Sequence, residues 1–161
     1  MTLARIKPQD ISVFCEAASA FFEQSTRRKA RVRTAYMLES REPVVWDDYQ
    51  GVVELDGLYR GSVGFSAPRG LLSHVLLLMG ERDYSDASHR DVVGEIANQM
   101  SGYARRHFGE GMQISPPQVL AGRMPTAAAA VTGGGDFAPF AIPMSWDGYE
   151  AHLVVAMRPN R

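Results

Sequence analysis

Cysteine is almost missing from this chain. Cys15 is the single one in 161 residues, which excludes an internal disulfide framework and any zinc site built from several thiolates. No sign of charge dominates either: 17 Lys and Arg stand against 18 Asp and Glu, for a formal net charge of −1. Without a basic excess to displace counterions from phosphates, the usual ground for a nucleic-acid partner is absent. The longest strongly apolar run, Val75 to Met79, is far too short to cross a bilayer. Met1 to Asp10 lacks the apolar stretch of a secretory signal. No low-complexity tail or linker divides the chain. What remains is 45% hydrophobic and 22% charged residues, a globular balance. The expectation is one soluble, cytoplasmic domain over residues 1–161, with no membrane partner.

Hydrophobic spacing supplies the elements. Pro8 suits a first helical turn, and Ile11, Phe14, Ala18, Phe21 and Phe22 recur at helical spacing after it. That helix runs into Arg27, Arg28, Lys29, Arg31 and Arg33, read either as basic groups near a helix C-terminus or as an anion-binding patch. Val44 to Trp46 is a weak strand candidate. Val53 and Leu55, then Asp56-Gly57, then Tyr59, Val63 and Phe65 predict a hairpin whose turn has positive φ at both central positions. Gly61 and Gly64 mark a bulge or a close approach in its second strand. Ala67 to Gly80 returns to helical spacing, with Gly80 as the stop signal. A longer helix is predicted from Ser85 to about Phe108, ended by Gly109 and Gly111. A short strand near Gln118 to Ala121 follows Pro116-Pro117, and a second hairpin turns at Asp147-Gly148. Pro139 and Pro143 push the first strand of that hairpin toward a sheet edge. Helices separated by hairpins, without strand–helix alternation, predict an α+β fold in which an antiparallel sheet carries long helices on one face.

The long helix carries the chemistry. On a helical wheel Val93, Ile96, Ala97, Met100 and Ala104 share one side, with Val92, Tyr103 and Phe108 at its margins. Asp91, Glu95, Asn98, Gly102 and Arg105 form a narrow stripe almost opposite, in which Glu95 and Asn98 are surface neighbours. Asn is a poor helix-interior residue, and Gly94 and Gly102 each cost about 1 kcal/mol relative to alanine. Such choices fit a surface that another molecule approaches closely. They fit equally a helix whose glycines permit close packing inside the domain.

Asp91-x-x-x-Glu95-x-x-Asn98, continued by Gln99-Met100-Ser101-Gly102 and later by Ser115-Pro116-Pro117-x-Val119-x-x-Gly122-Arg123, resembles the signature of the CheC/CheX phosphatases of bacterial chemotaxis. A single motif helix in a short chain is more similar to CheX than to CheC. The resemblance implies a CheC-like α+β domain that forms a homodimer through its sheet. It also implies hydrolysis of the aspartyl phosphate on a CheY-like response regulator. Glu95 would pair with the regulator's active-site lysine, and Asn98 would enter the regulator's site and orient the attacking water. Asp91, Gly102 and Arg105 would complete the partner-binding surface. The chain would need no metal or cofactor of its own, because Mg2+ would arrive with the phosphorylated regulator. The interval from Asn98 to Pro116 is shorter than is usual in the family, and Tyr103 with Arg105-Arg106 bears on the choice of regulator. Flagellar-switch relatives of the fold lack the motif and only bind. The alternative is therefore a non-catalytic adapter that docks a response regulator or a flagellar switch protein. An unrelated small-ligand domain is the third reading.

Other groups read as structural. His74, His89, His107 and His152 show no metal-ligand spacing with one another or with Cys15. His107 is expected to pack on the core side of the long helix, and Cys15 to be a buried, inert thiol. Thr132-Gly133-Gly134-Gly135-Asp136 lacks the lysine and the strand–loop–helix setting of a P-loop, so it reads as a connection. Asp47 and Asp48 would point to opposite faces of a strand, which argues against a carboxylate pair.

Overall fold

A computed structural model describes residues 7–38, 43–44, 46–109, 111–122, 126–127 and 139–159. Along the chain these hold α1 (Pro8–Thr26), β1 (Arg31–Val32), β2 (Tyr36–Met37), β3 (Pro43–Val44), β4 (Tyr49–Asp56), β5 (Tyr59–Ala67), α2 (Arg69–Leu78), α3 (Asp86–Phe108), β6 (Gln113–Ile114), β7 (Gln118–Ala121), β8 (Thr126–Ala127), β9 (Phe140–Trp146) and β10 (Tyr149–Pro159). An eight-stranded antiparallel sheet runs β1-β9-β10-β5-β4-β6, with β2 also on β9 and β7 also on β4, while β3 and β8 pair separately.

The alternation of apolar residues sets which face of the sheet is covered. Val53, Leu55, Val63, Phe65, Phe140, Ile142, Met144, Trp146, Ala151, Leu153 and Val155 are buried in one cluster with Phe14, Phe22, Leu72, Val75, Ile96 and Met100 from the three helices. Aromatic contacts tie the layers together, as in Phe22 against Trp146 at 5.4 Å between ring centroids and Phe14 against Phe140 at 6.1 Å. The outer face is neither bare nor featureless: Leu38, Ala141 and Val154 form a second, small cluster there with the half-buried Trp46.

Local signals explain where the helices stop and start. Pro8 occupies the first turn of α1, and the Asp10 carboxylate accepts the Lys7 backbone N–H at 2.9 Å. At the end of α2, Gly80 has φ +83°, its N–H reaches the Leu77 carbonyl at 3.1 Å, and the Glu81 N–H reaches Leu76 at 3.0 Å. This is the Schellman arrangement that Gly80 foreshadowed. Ser85 caps α3 by accepting the Ser88 N–H at 3.2 Å.

Several expectations shift. The basic run lies beyond α1: Arg27 is its left-handed C-cap, Arg28 contacts Asp147 at 3.0 Å, and Arg33 contacts Glu150 at 3.2 Å. Two of its cations therefore serve as ties to the β9–β10 hairpin, which weighs against an anion-binding patch. Asp147 also receives His74 at 2.9 Å, joining α2 to the same turn. Pro143 does not put β9 at the edge; β9 is flanked by β10 and, on its other side, by the short β1 and β2. The Asp56-Gly57 turn moves on by one residue, because Asp56 remains in β4 opposite Gln113 and only Gly57 has positive φ. Ala67 ends β5 and does not begin α2. Of Val44 to Trp46, Val44 is in a strand and Trp46 is not, and Val45 lies outside the described residues. Thr132 to Asp136 and Arg123 lie outside them too. Asp47 and Asp48 precede β4 and are not strand residues; the Asp48 carboxylate accepts the Arg69 N–H at 2.8 Å. Cys15 is half-buried, and its thiol is pushed up mainly by partial burial and secondly by Glu16. No helix among the described residues is long and apolar enough to cross a membrane.

Candidate functional site

Helix α3 is seated on the sheet through small residues. A side chain at Gly51 of β4 would stand 2.6 Å from the Val93 carbonyl oxygen and 3.1 Å from the Ala97 Cβ, so backbone meets helix there with no room between them. The N-terminal end of α3 is pinned as well. The Tyr49 hydroxyl donates to Asp86 Oδ1 at 2.6 Å, Arg90 Nε donates to Asp86 Oδ2 at 2.6 Å, and Arg69 reaches the Tyr49 oxygen at 3.0 Å. The Tyr49 hydrogen bond, then that of Arg90, holds the Asp86 carboxyl below the ordinary range. The same bond is the main cause pushing the Tyr49 hydroxyl up. His89, fully buried, stacks on Tyr49 and bridges Ser85 and Ser73. Because the Ser85 carbonyl can only accept, His89 Nδ1 donates to it at 2.8 Å, and Nε2 lies 2.6 Å from the Ser73 hydroxyl, which itself donates to the Arg69 carbonyl at 3.0 Å.

With the helix so fixed, its two faces separate cleanly. Val93, Ile96, Ala97, Met100 and Ala104 are buried, as is Val92, and Tyr103 and Phe108 lie half-buried at the margins. Asp91, Glu95, Asn98 and Arg105 are exposed, and Gly102 is half-buried between them. The structure thus brings the five stripe residues onto one accessible surface. The Glu95 carboxylate accepts a hydrogen bond from Gln99 Nε2 at 2.8 Å, which limits its rotation while leaving its second oxygen available. Gln99 belongs to the quoted motif, but nothing in its own spacing marked it as a support for Glu95.

The two glycines of α3 divide between the readings left open by the sequence. A Cβ at Gly94 would lie 3.1 Å from Val119 Cγ2 and 3.5 Å from Pro117 Cγ, so Gly94 admits the Pro-Pro segment onto the helix. A Cβ at Gly102 would meet nothing within 4 Å. Gly94 is explained by packing, whereas Gly102 is not. Gly102→Ala is accordingly expected to stabilise the domain by up to about 1 kcal/mol, read as a rise of roughly 2–4 °C in Tm. A fall in Tm would show that the position is crowded after all.

Beside the stripe, α1 and α3 leave a groove of about 320 Å3. Ala17, Ala20 and Phe21 line it from α1, and Asn98, Gly102 and Tyr103 from α3. The Arg106 guanidinium stands 5.5 Å from the centre of the Tyr103 ring. His107 is a correction: it points away from the core, 42% exposed along its side chain, with Nε2 3.1 Å from the largely buried Asp10 carboxylate. A wheel places it near the core side, but what it meets there is the Asp10 carboxylate in the first turn of α1, while Phe108 beside it packs on Phe14 and Tyr59. Among the described residues no group of three or more His, Cys, Asp or Glu is placed to hold a metal ion.

A solvent-facing acid and amide, one turn apart on a helix clamped to an antiparallel sheet, stand in a CheC-like fold. A CheC-like superfamily protein from Shewanella sp. PV-4 superposes with a TM-score of 0.80 at 19% identity, covering 95% of this chain and 99% of the other. CheX from Desulfovibrio desulfuricans gives 0.79 at 20% identity, covering 93% and 99%. CheX from Borrelia burgdorferi, solved in a complex with CheY, BeF3 and Mg2+, gives 0.68 at 18% identity, covering 96% and 99%. No curated protein matches the chain. The family model described as chemotaxis phosphatase CheX matches residues 49–144, a span that includes all of α3. The chain belongs to the CheX family.

Proposed function

We propose that this chain hydrolyses the aspartyl phosphate of a CheY-like receiver domain, with Glu95 docking the regulator's lysine and Asn98 orienting the attacking water. The observation that carries the proposal is the exposure of Glu95 and Asn98 together on the outward face of α3 in a CheX-family chain. The complex of the Borrelia burgdorferi protein with CheY supports a partner of that kind.

An acyl phosphate is already an activated bond, so the chain need only position water. The water oxygen forms a new bond to phosphorus in line with the acyl oxygen, that P–O bond breaks, and the aspartate leaves as a carboxylate with release of inorganic phosphate. An amide suits the task because it both donates and accepts at neutral pH and never becomes charged. Mg2+ held by the regulator offsets the developing charge, and the chain itself supplies no metal ligand to this step. Asp91 and Arg105 extend the contact at either end, and the open surface over Gly102 lets the regulator come close. By the same family resemblance the chain pairs with a second copy through its sheet. Sedimentation as a monomer at micromolar concentration would count against that pairing.

Phosphate release from a panel of receiver domains charged with acetyl phosphate tests the activity. A protein that binds receivers yet never shortens a phosphoryl lifetime is the adapter. Glu95→Ala is expected to weaken receiver binding by about fivefold, and added salt to mimic part of that loss, since the contact is between charges at a partly exposed surface. Titration of the receiver at two ionic strengths checks this; an affinity indifferent to both changes would remove Glu95 from the docking contact.

A further inference from the structure

The α1–α3 groove is continuous with the stripe, because Asn98 and Gly102 belong to both. Any partner whose reacting centre sits at Asn98 therefore covers the groove as well, within about one helical turn. Ala17 and Phe21, themselves nearly fully buried, form its floor, and the amides of Asn98, Gln99 and Gln24 stand around it, so the surface it offers is mixed and slightly more polar than apolar. A volume of about 320 Å3 is at the bottom of the range for small-molecule pockets and suits a side chain better than a metabolite.

Charge along α3 gives the groove a direction. Asp91 and Glu95 make the N-terminal half of the exposed face acidic, and Arg105 with Arg106 makes the C-terminal half basic. The two ends are about 21 Å apart along the axis. A partner carrying a cation beside its reacting centre and carboxylates farther along would fit in one orientation only. Arg106, exposed at the groove and resting on Tyr103, lies at the basic end.

We propose that this groove is the specificity pocket for the regulator: it takes one long side chain with an apolar stem and a polar end from the receiver segment bordering the phosphorylated aspartate, with a carboxylate of that segment meeting Arg106. This rests on the activity proposed above and adds to it how the regulator is chosen. The open space at Gly102 fits the same occupant, since a side chain there would project where the incoming group lies. Single buried anchors of this kind dominate the energetics of many interfaces.

The test uses the receiver domain that the chain dephosphorylates fastest. Ala20→Phe fills the groove from α1, and Arg106→Glu reverses its charged rim. Each is expected to raise KM about fivefold and to leave kcat within about twofold. The Arg106→Glu defect is expected to be relieved by a receiver in which a carboxylate of the docking segment is changed to lysine. Should Ala20→Phe fail to fold by circular dichroism, Gln24→Trp, exposed on α1, blocks the mouth instead. An unchanged KM in the blocked and charge-reversed variants, while Asn98→Ala still slows turnover, overturns the pocket and leaves the activity standing. A shift in the sedimentation of the chain alone, with KM unchanged, would make the groove a contact between copies and also overturn it. If Asn98→Ala has no effect on phosphate release, the underlying activity falls and the pocket with it.

Discussion

Asn98→Ala is expected to slow phosphate release from a phosphorylated receiver by at least about tenfold, about 1.4 kcal/mol of barrier, with receiver affinity kept. Asn98 is exposed and on the same surface as Glu95, so its removal leaves no cavity. Alanine is also the better helix former, and the variant should be at least as stable as the parent. Loss of rate then reports loss of water positioning rather than loss of fold. Asn98→Asp should not rescue, because a carboxylate brought up to a phosphoryl dianion adds repulsion where the amide added none. Single-turnover phosphate release at saturating protein measures the rate, and calorimetric titration with the beryllofluoride-loaded receiver measures the affinity. A rate that stays with the parent's would end the assignment of Asn98.

The largest loss of stability is expected at Gly61. A Cβ built there would stand 1.8 Å from the Ala156 carbonyl oxygen, 2.8 Å from its carbon and 2.9 Å from the Met157 Cα. These are backbone atoms of β10, which pairs with β5 from Tyr59 to Ser66, so the neighbour cannot step aside as a side chain can. Overpacking commonly costs 1–3 kcal/mol, and a backbone obstacle puts Gly61→Ala near the top of that range, at about 3 kcal/mol. For a domain of this length that is roughly 6–12 °C in Tm. Thermal melts of Gly61→Ala beside Gly102→Ala make the contrast, since the same added methyl is expected to act with opposite sign at the two sites. A Gly61→Ala melt indistinguishable from the parent would show that the two strands can move apart.

Two copies of one dipeptide show how much the sequence could reveal. Asp147-Gly148 turns where local rules put it, with φ of 50° and 87° and Trp146 opposite Tyr149. Asp56-Gly57 carries the same signal, yet Asp56 stays in its strand because Gln113 pairs with it. Gly57 in turn lies against residue 111, whose carbonyl oxygen would be 2.6 Å from a Cβ. That partner is more than fifty residues away along the chain, beyond the reach of any turn rule. The helices were legible because three- and four-residue spacing and their stop signals are local. The exposed stripe was legible for the same reason, since a helix that buries Val93, Ile96 and Met100 must turn Glu95 and Asn98 outward. The groove was not, because half of it comes from α1, and no periodicity says which helix lies beside which. His107 failed on the same point: its partner, Asp10, comes from the start of α1, which a wheel of α3 cannot show.

The close seating of Gly51 against the Val93 carbonyl has a kinetic meaning. A rod held by backbone on one side cannot roll about its own axis, so residue 98 keeps the same outward bearing before any partner arrives. On the activity proposed for it, α3 itself needs no rearrangement between encounter and bond cleavage. If the proposed activity holds, a methyl group added at position 51, on the far side of the helix, should lower its rate from a distance by tilting α3.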